Sequence, residues 1–238
     1  MENCVKILIK CHFSYIVNKA TIIIIAIVLF TSLLSNILSI YSLNSNLGII
    51  ESNQLYFLNS FLVLKIVLIF LAIFLFSYSF YSKSDQYVML IVTSNVSRKQ
   101  YFITKVSVLV TFLSVYLYLQ YFIFLLVGII FHRGFYFNMD HLIAYLNLLF
   151  SVIYFGLLGQ TFILLINNLY IMIIPFILMN IGSIINEDSD NKLFSIYNYL
   201  FPTLTEKNDF YYGYLHLVGL LVIIFLLNLF IYERKDLS

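Results

Sequence analysis

Hydrophobic residues run through this chain in long unbroken blocks, and short polar stretches punctuate them. The blocks fall at residues 20–43, 56–82, 106–131 and 142–185, with a last one at 214–232. A helix of about 20 apolar residues crosses a hydrocarbon core of roughly 30 Å, and each of the first three blocks is long enough. The fourth is too long for one crossing. Residues 141–185 hold no Asp, Glu, Lys or Arg. As one helix rising ~1.5 Å per residue they would extend roughly 68 Å. The stretch therefore has to fold back, and Asn167-Asn168 is its best turn, because asparagine favours turns over helix interiors. Spans four and five become 142–166 and 169–185, and 214–232 is span six.

The polar stretches have patterns of their own. Residues 1–19 pair Glu2 with Lys6 at i, i+4 spacing and offer an apolar side of Val5, Leu8, Ile9, His12, Phe13 and Ile16. That pattern predicts an interfacial amphipathic helix leading into span one. Residues 83–105 carry the densest basic cluster, Lys83, Arg98, Lys99 and Lys105. Between those charges Tyr87, Leu90, Ile91 and Ser94 recur at i, i+3, i+4, i+7 spacing. A short helix there would have one apolar face and could lie flat at the membrane surface, which is the shape of a docking element. Residues 186–213 form the longest outer loop. Their centre, 193–205, is apolar enough to dip into the interface as a helical hairpin broken at Pro202. No signal-peptide cleavage pattern follows the first block, so it is expected to stay in the mature protein.

Composition and charge narrow the class. The chain is 62% hydrophobic and 10% charged, with a mean hydropathy of +0.98. That is too little polar surface to cover a soluble globule of 238 residues. Basic residues then orient it, because cytoplasmic loops carry the excess of Lys and Arg. With six spans and both termini inside, nine lysines and arginines lie inside against three outside, Arg133, Lys192 and Lys207. Five spans would put Arg234 and Lys235 on the wrong side. Cys4 and Cys11 then face a reducing compartment, where a disulfide is not expected, and are read as two small buried thiols, with palmitoylation as the other use.

The absent motifs exclude most chemistry. No Gly-x-x-x-x-Gly-Lys-Ser/Thr loop is present, so the chain does not bind a nucleotide by that route. His12, His132, His141 and His216 fall in separate segments without metal-ligand spacing, although His132 and His141 flank one short loop and could meet. No nucleophile elbow appears. The reading is a non-enzyme without catalytic or metal-binding residues and without a nucleic-acid partner. Lys65 is the one ionisable residue inside a span. Placed near the outer end of span two, it can snorkel to the interface, or serve a substrate path or pair with Glu51. Asn36, Gln120, Gln160 and Asn180 are the other intramembrane polar groups, available for interhelical hydrogen bonds or for lining a path. No buried carboxylate offers a proton or sodium relay, so active transport would draw its energy from a partner. Gly156 and Gly159 mark close packing on span four, and Pro175 a kink in span five.

The run 90–98, Leu-Ile-Val-Thr-Ser-Asn-Val-Ser-Arg, with Lys105 seven positions on, resembles the first cytoplasmic loop of type-two ATP-binding-cassette (ABC) transporter permeases. That loop usually reads Gly-Thr-Leu-Glu-Leu-Leu-Leu-Ser-Thr-Pro-Val-Ser-Arg; here Gln86, Met89 and Asn95 replace its glycine, glutamate and proline. The basic ending 230–237 is similar to the family's Asp-terminated tail. The resemblance implies an all-α polytopic membrane protein, one domain over 1–238, with six transmembrane helices, an amphipathic start and a cytosolic coupling helix. It implies pairing with a second permease, identical or not, and with cytosolic ATPase subunits that bind the ATP and Mg. The helix around Asp85, Tyr87, Leu90, Ile91 and Ser94 would sit in a groove of the ATPase. Arg98, Lys99 and Lys105 would anchor it at anionic headgroups or acidic ATPase groups. Small permeases of this kind in Gram-positive bacteria expel amphipathic peptides, as in lantibiotic or bacitracin self-protection, which implies a multi-pass protein of the bacterial cytoplasmic membrane. A channel or secondary carrier working without an ATPase is the alternative.

Overall fold

In the computed structural model of the chain, the described residues are 2–43, 48–81, 96–132, 135–184, 200 and 210–234. They contain no strand. Their helices are α1 (Glu2–Ile16), α2 (Lys19–Tyr41), α3 (Ile49–Phe80), α4 (Arg98–Phe131), α5 (Met139–Ile166), α6 (Ile173–Ile184) and α7 (Phe210–Arg234), with a 3-10 turn Leu169–Met172 before α6. Five of them, α2, α3, α4, α5 and α7, are long and apolar enough to cross a membrane. The chain has the build of a multi-pass helical membrane protein. Its peripheral surfaces agree: Ile23, Ile27, Phe30 and Leu38 on α2 and Val222, Ile223, Leu226 and Phe230 on α7 are all exposed.

Two helices run well past their apolar blocks. α3 begins at Ile49 instead of residue 56, with Glu51 in its first turn, where a carboxylate suits the helix dipole. α4 begins at Arg98 instead of residue 106 because a reciprocal cap starts it there. Ser97 Oγ accepts from the Gln100 backbone N–H at 3.2 Å, and the Ser97 N–H donates to Gln100 Oε1 at 3.3 Å. α5 ends at Ile166, where Asn167 takes a left-handed conformation with φ 51°, a backbone state that asparagine tolerates better than most residues. Asn168 Oδ1 then accepts from the Tyr170 N–H at 3.1 Å and starts the next turn. α6 has only 12 residues. Together with the preceding turn it rises about 26 Å, short of a full core thickness.

α3 is the axis of the bundle and packs on α2, α4, α5 and α6. It runs antiparallel to α4: Tyr56 stacks on Phe124 at 4.8 Å, and Phe80 meets Phe102 at 5.5 Å. It runs parallel to α5: Phe57 stacks on His141 at 4.2 Å, and Phe61 meets Tyr145 at 5.6 Å. Further along that seam Gly156 and Gly159 bring the two backbones together. A Cβ on Gly156 would stand 2.7 Å from Phe76 Cδ2, and one on Gly159 would stand 2.9 Å from Ser77 Oγ. Two ends result, one where α3 and α7 finish and α4 begins, the other around the 132–138 connection. We call them the 81–97 end and the 132–138 end.

α1 docks on α4 through Leu8, His12 and Ile16, which are buried, while Ile9 and Phe13 are exposed. Of the five residues of its expected apolar side whose burial is described, three are turned to protein, and Cys11, expected to be buried, is exposed. The expected hairpin at 193–205 lies outside the described residues except Leu200, whose carbonyl accepts from Tyr154 Oη at 2.7 Å.

Candidate functional site

The 81–97 end gathers residues from four helices around one ammonium. Lys105 is 3% exposed. Its Nζ donates to Tyr101 Oη at 3.3 Å and lies 4.7 Å from the Phe80 ring centroid, within cation–π range. Tyr232 of α7 adds a third ring, 5.8 Å from Phe80 and 5.3 Å from Phe102. His12 of α1 meets Tyr101 edge-on at 4.8 Å. Burial, and secondarily the Lys105 charge, push the His12 imidazole down to about 4, so it stays neutral near pH 7. Arg98 Nη1 donates to the Glu233 carbonyl at 3.3 Å, where a cation suits the C-terminus of α7.

The expected coupling residues divide here. Lys99 is exposed and Arg98 half-buried. Lys105 faces the aromatic knot instead of open solvent. Asp85, Tyr87, Leu90, Ile91 and Ser94 lie outside the described residues, but both stems of their segment enter this knot.

The expected path residues do not converge. Asn36 on α2 and Gln120 on α4 are both buried, and α2 and α4 pack together. Gln160 lies in another seam, with α7. Asn180 donates from Nδ2 to the Phe176 carbonyl of its own helix at 2.8 Å. Lys65 sits sixteen residues into α3 and fifteen from its end, mid-helix and half-buried, because α3 starts earlier than its apolar block. Glu51 shares α3 with Lys65, fourteen residues away. At ~1.5 Å per residue that is about 21 Å, which rules out their pairing within one chain.

Asn228 on α7 is the one amide in the block 214–232, and no local sequence pattern marks it. Its Nδ2 donates to the Leu157 carbonyl at 2.9 Å and reaches Gln160 Oε1 at 3.4 Å. Thr161 Oγ1 lies 2.7 Å from Asn228 Oδ1 and 3.0 Å from the Leu157 carbonyl, and its single proton serves the shorter contact. This cluster is a polar clasp between α5 and α7. Beside it, a cavity of about 530 Å³ opens between α4, α5 and α7, lined by Val110, Leu157, Val222 and Phe225 among other apolar side chains.

At the 132–138 end His132 and His141 enter one aromatic cluster. His132 meets Tyr56 at 5.9 Å, and His141 meets both Phe57 and Phe124. Burial pushes the His132 imidazole below its ordinary range. Among the described residues no group of three His, Cys, Asp or Glu comes together to hold a metal.

No family model matches this chain, and neither does any curated protein. A functional reading therefore stands on the residues themselves: the knot at the 81–97 end, the clasp on α7 and the buried glutamines.

Proposed function

We propose that this chain is the membrane permease subunit of an ATP-driven ABC exporter that expels an amphipathic peptide, antibiotic or lipid-like substrate. It works as a pair with a second permease and is driven by cytosolic ATPases that hold the ATP and Mg. Both termini face the cytoplasm of a bacterial cell, and residues 169–185, which contain α6, form the fifth of six spans. The supporting observation is that both stems of the 82–95 segment enter the Lys105 knot together with α1 and the end of α7. A push on that segment would reach four helices as one rigid-body motion instead of being lost in a loose loop.

The test replaces Leu90 and Ile91 together by aspartate in cells that also express the ATPase. Burial of such side chains commonly contributes about 1.5–3 kcal/mol each. The variant should insert and elute as a single species, release the ATPase in a detergent pull-down, and lose export. A variant that keeps both ATPase and export would overturn the coupling role. Ion flux through the purified chain without any ATPase would move the assignment to a channel or carrier.

A further inference from the structure

We infer that the interface of α2, α3 and α4, in the half of the bundle toward the 132–138 end, holds a site for small neutral hydrogen-bonding guests, water in the resting protein, ligated by Gln120 and Ser60. The register of two helices carries this. Tyr56 Oη donates to the Phe124 carbonyl at 2.9 Å, and the two rings stack. One turn inward on each antiparallel helix stand Ser60 and Gln120, level with each other and both buried. Gln120 is wholly inaccessible, and its one polar neighbour given among the described residues is the Tyr116 hydroxyl, too poorly placed to satisfy Oε1 or Nε2; Ser60 Oγ is likewise unsatisfied. Two level polar groups that do not bond each other leave donors and acceptors for a third group to join.

The chemistry of those groups selects the guest. Gln120 supplies two donors and an acceptor, and Ser60 a hydroxyl that does either. A buried water needs two to four such partners, and these two side chains provide them. A charged guest does not fit, because no Asp or Glu is buried among the described residues and an ion would find no counter-charge. The third wall is polar as well. Tyr116 Oη donates to the Ile25 carbonyl at 3.1 Å and ties α2 to α4 one turn from Gln120. Beyond Ile25, α2 turns Ser32, Asn36 and Ser39 inward, all buried. Apolar residues at those positions would have packed equally well against a dry seam. The site stands independently of the exporter reading.

The experiment uses the full chain in phosphatidylethanolamine–phosphatidylglycerol vesicles, labelled with ¹⁵N on asparagine and glutamine side chains, and reads polarisation transfer from water by solid-state NMR. The Gln120 amide is assigned as the signal lost in Gln120→Leu, or in Gln120→Met if the leucine variant does not insert. At short mixing times it should gain polarisation at more than half the rate of exposed Gln54. The Asn228 amide, equally buried but bonded within the protein, should remain unpolarised. Ser60→Ala should cut the Gln120 transfer at least twofold and leave Asn228 unchanged. A Gln120 signal as dark as that of Asn228 would show a dry seam and overturn the site. An unchanged signal in Ser60→Ala would remove Ser60 as a ligand and overturn the pair.

Discussion

The seam between α5 and α7 and the seam between α3 and α4 each bury an amide in an apolar bundle, and they treat it in opposite ways. Asn228 finds the Leu157 carbonyl, Gln160 and Thr161 within hydrogen-bond reach. Gln120 has only the Tyr116 hydroxyl nearby and is left unsatisfied. Inside a bilayer helices gain little by hiding apolar surface from one another, so close packing and polar contacts must hold them together. The first seam uses polar contacts, the Asn228 clasp, while on another side of α5 Gly156 and Gly159 provide the close packing against α3. The second relies on aromatic stacking and leaves its polar groups for something else. One seam is built to stay shut and the other to accept a guest.

The largest effect should come from forcing the close packing apart. In Gly156→Val the added atoms would meet the ring of Phe76, which is fully buried and has no room to withdraw. Overpacking of this kind costs about 3 kcal/mol, and melting of the detergent-solubilised protein should fall accordingly. A melting point equal to wild type would mean that α3 and α5 are not seated as closely as the glycines indicate.

The next pair of variants sets the two seams against each other. Asn228→Leu strips Gln160 of its partner, returns the Thr161 proton to the Leu157 carbonyl, and should destabilise by about 1 kcal/mol, the usual scale of an interhelical hydrogen bond. The double variant Gln120→Leu with Ser60→Ala removes both ligands of the guest together, leaving neither side chain as a stranded polar group, and should be neutral or mildly stabilising. Chemical denaturation of both variants in the same micelles measures the contrast. Equal losses would erase the distinction between the seams.

The sequence carried the secondary structure better than the burial. Unbroken apolar blocks announced the long helices, and Asn167-Asn168 marked the end of α5, because turn chemistry is local. Helix ends were less legible: α3 and α4 extend through polar turns that hydropathy counts as loop, and this displaced Lys65 from the end of a span to its middle. Which face is buried was hardly legible at all. Lipid and protein interior are both apolar, so periodicity does not separate them, and Asn228 looked like any polar residue in a span. The knot around Lys105 was hidden for a different reason. It is assembled from residues 12, 80, 105 and 232, which no local pattern connects. The coupling segment itself, Asp85 to Ser94, lies outside the described residues.

The smallest expected effect lies in a third seam, between α1 and α4, where the buried polar group is held neutral by its surroundings. His12 in the docked helix titrates at about 4, against about 6.5 when exposed. The undocked helix therefore binds a proton first, and docking is favoured fully above about pH 6.5 and progressively less as pH falls toward 4. Docking should lose about 1–2 kcal/mol over that window, less than the full shift implies because solvent screens part of it. Cys11 is exposed and free on the same helix and can report this. A spin label there, with Cys4→Ser to keep it unique, should gain mobility on acidification. His12→Phe keeps an aromatic edge against Tyr101 and carries no titrating group, so its profile should be flat. If the label in the phenylalanine variant mobilises over the same pH range, another group governs the docking, and neutral His12 is only filling space beside Lys105.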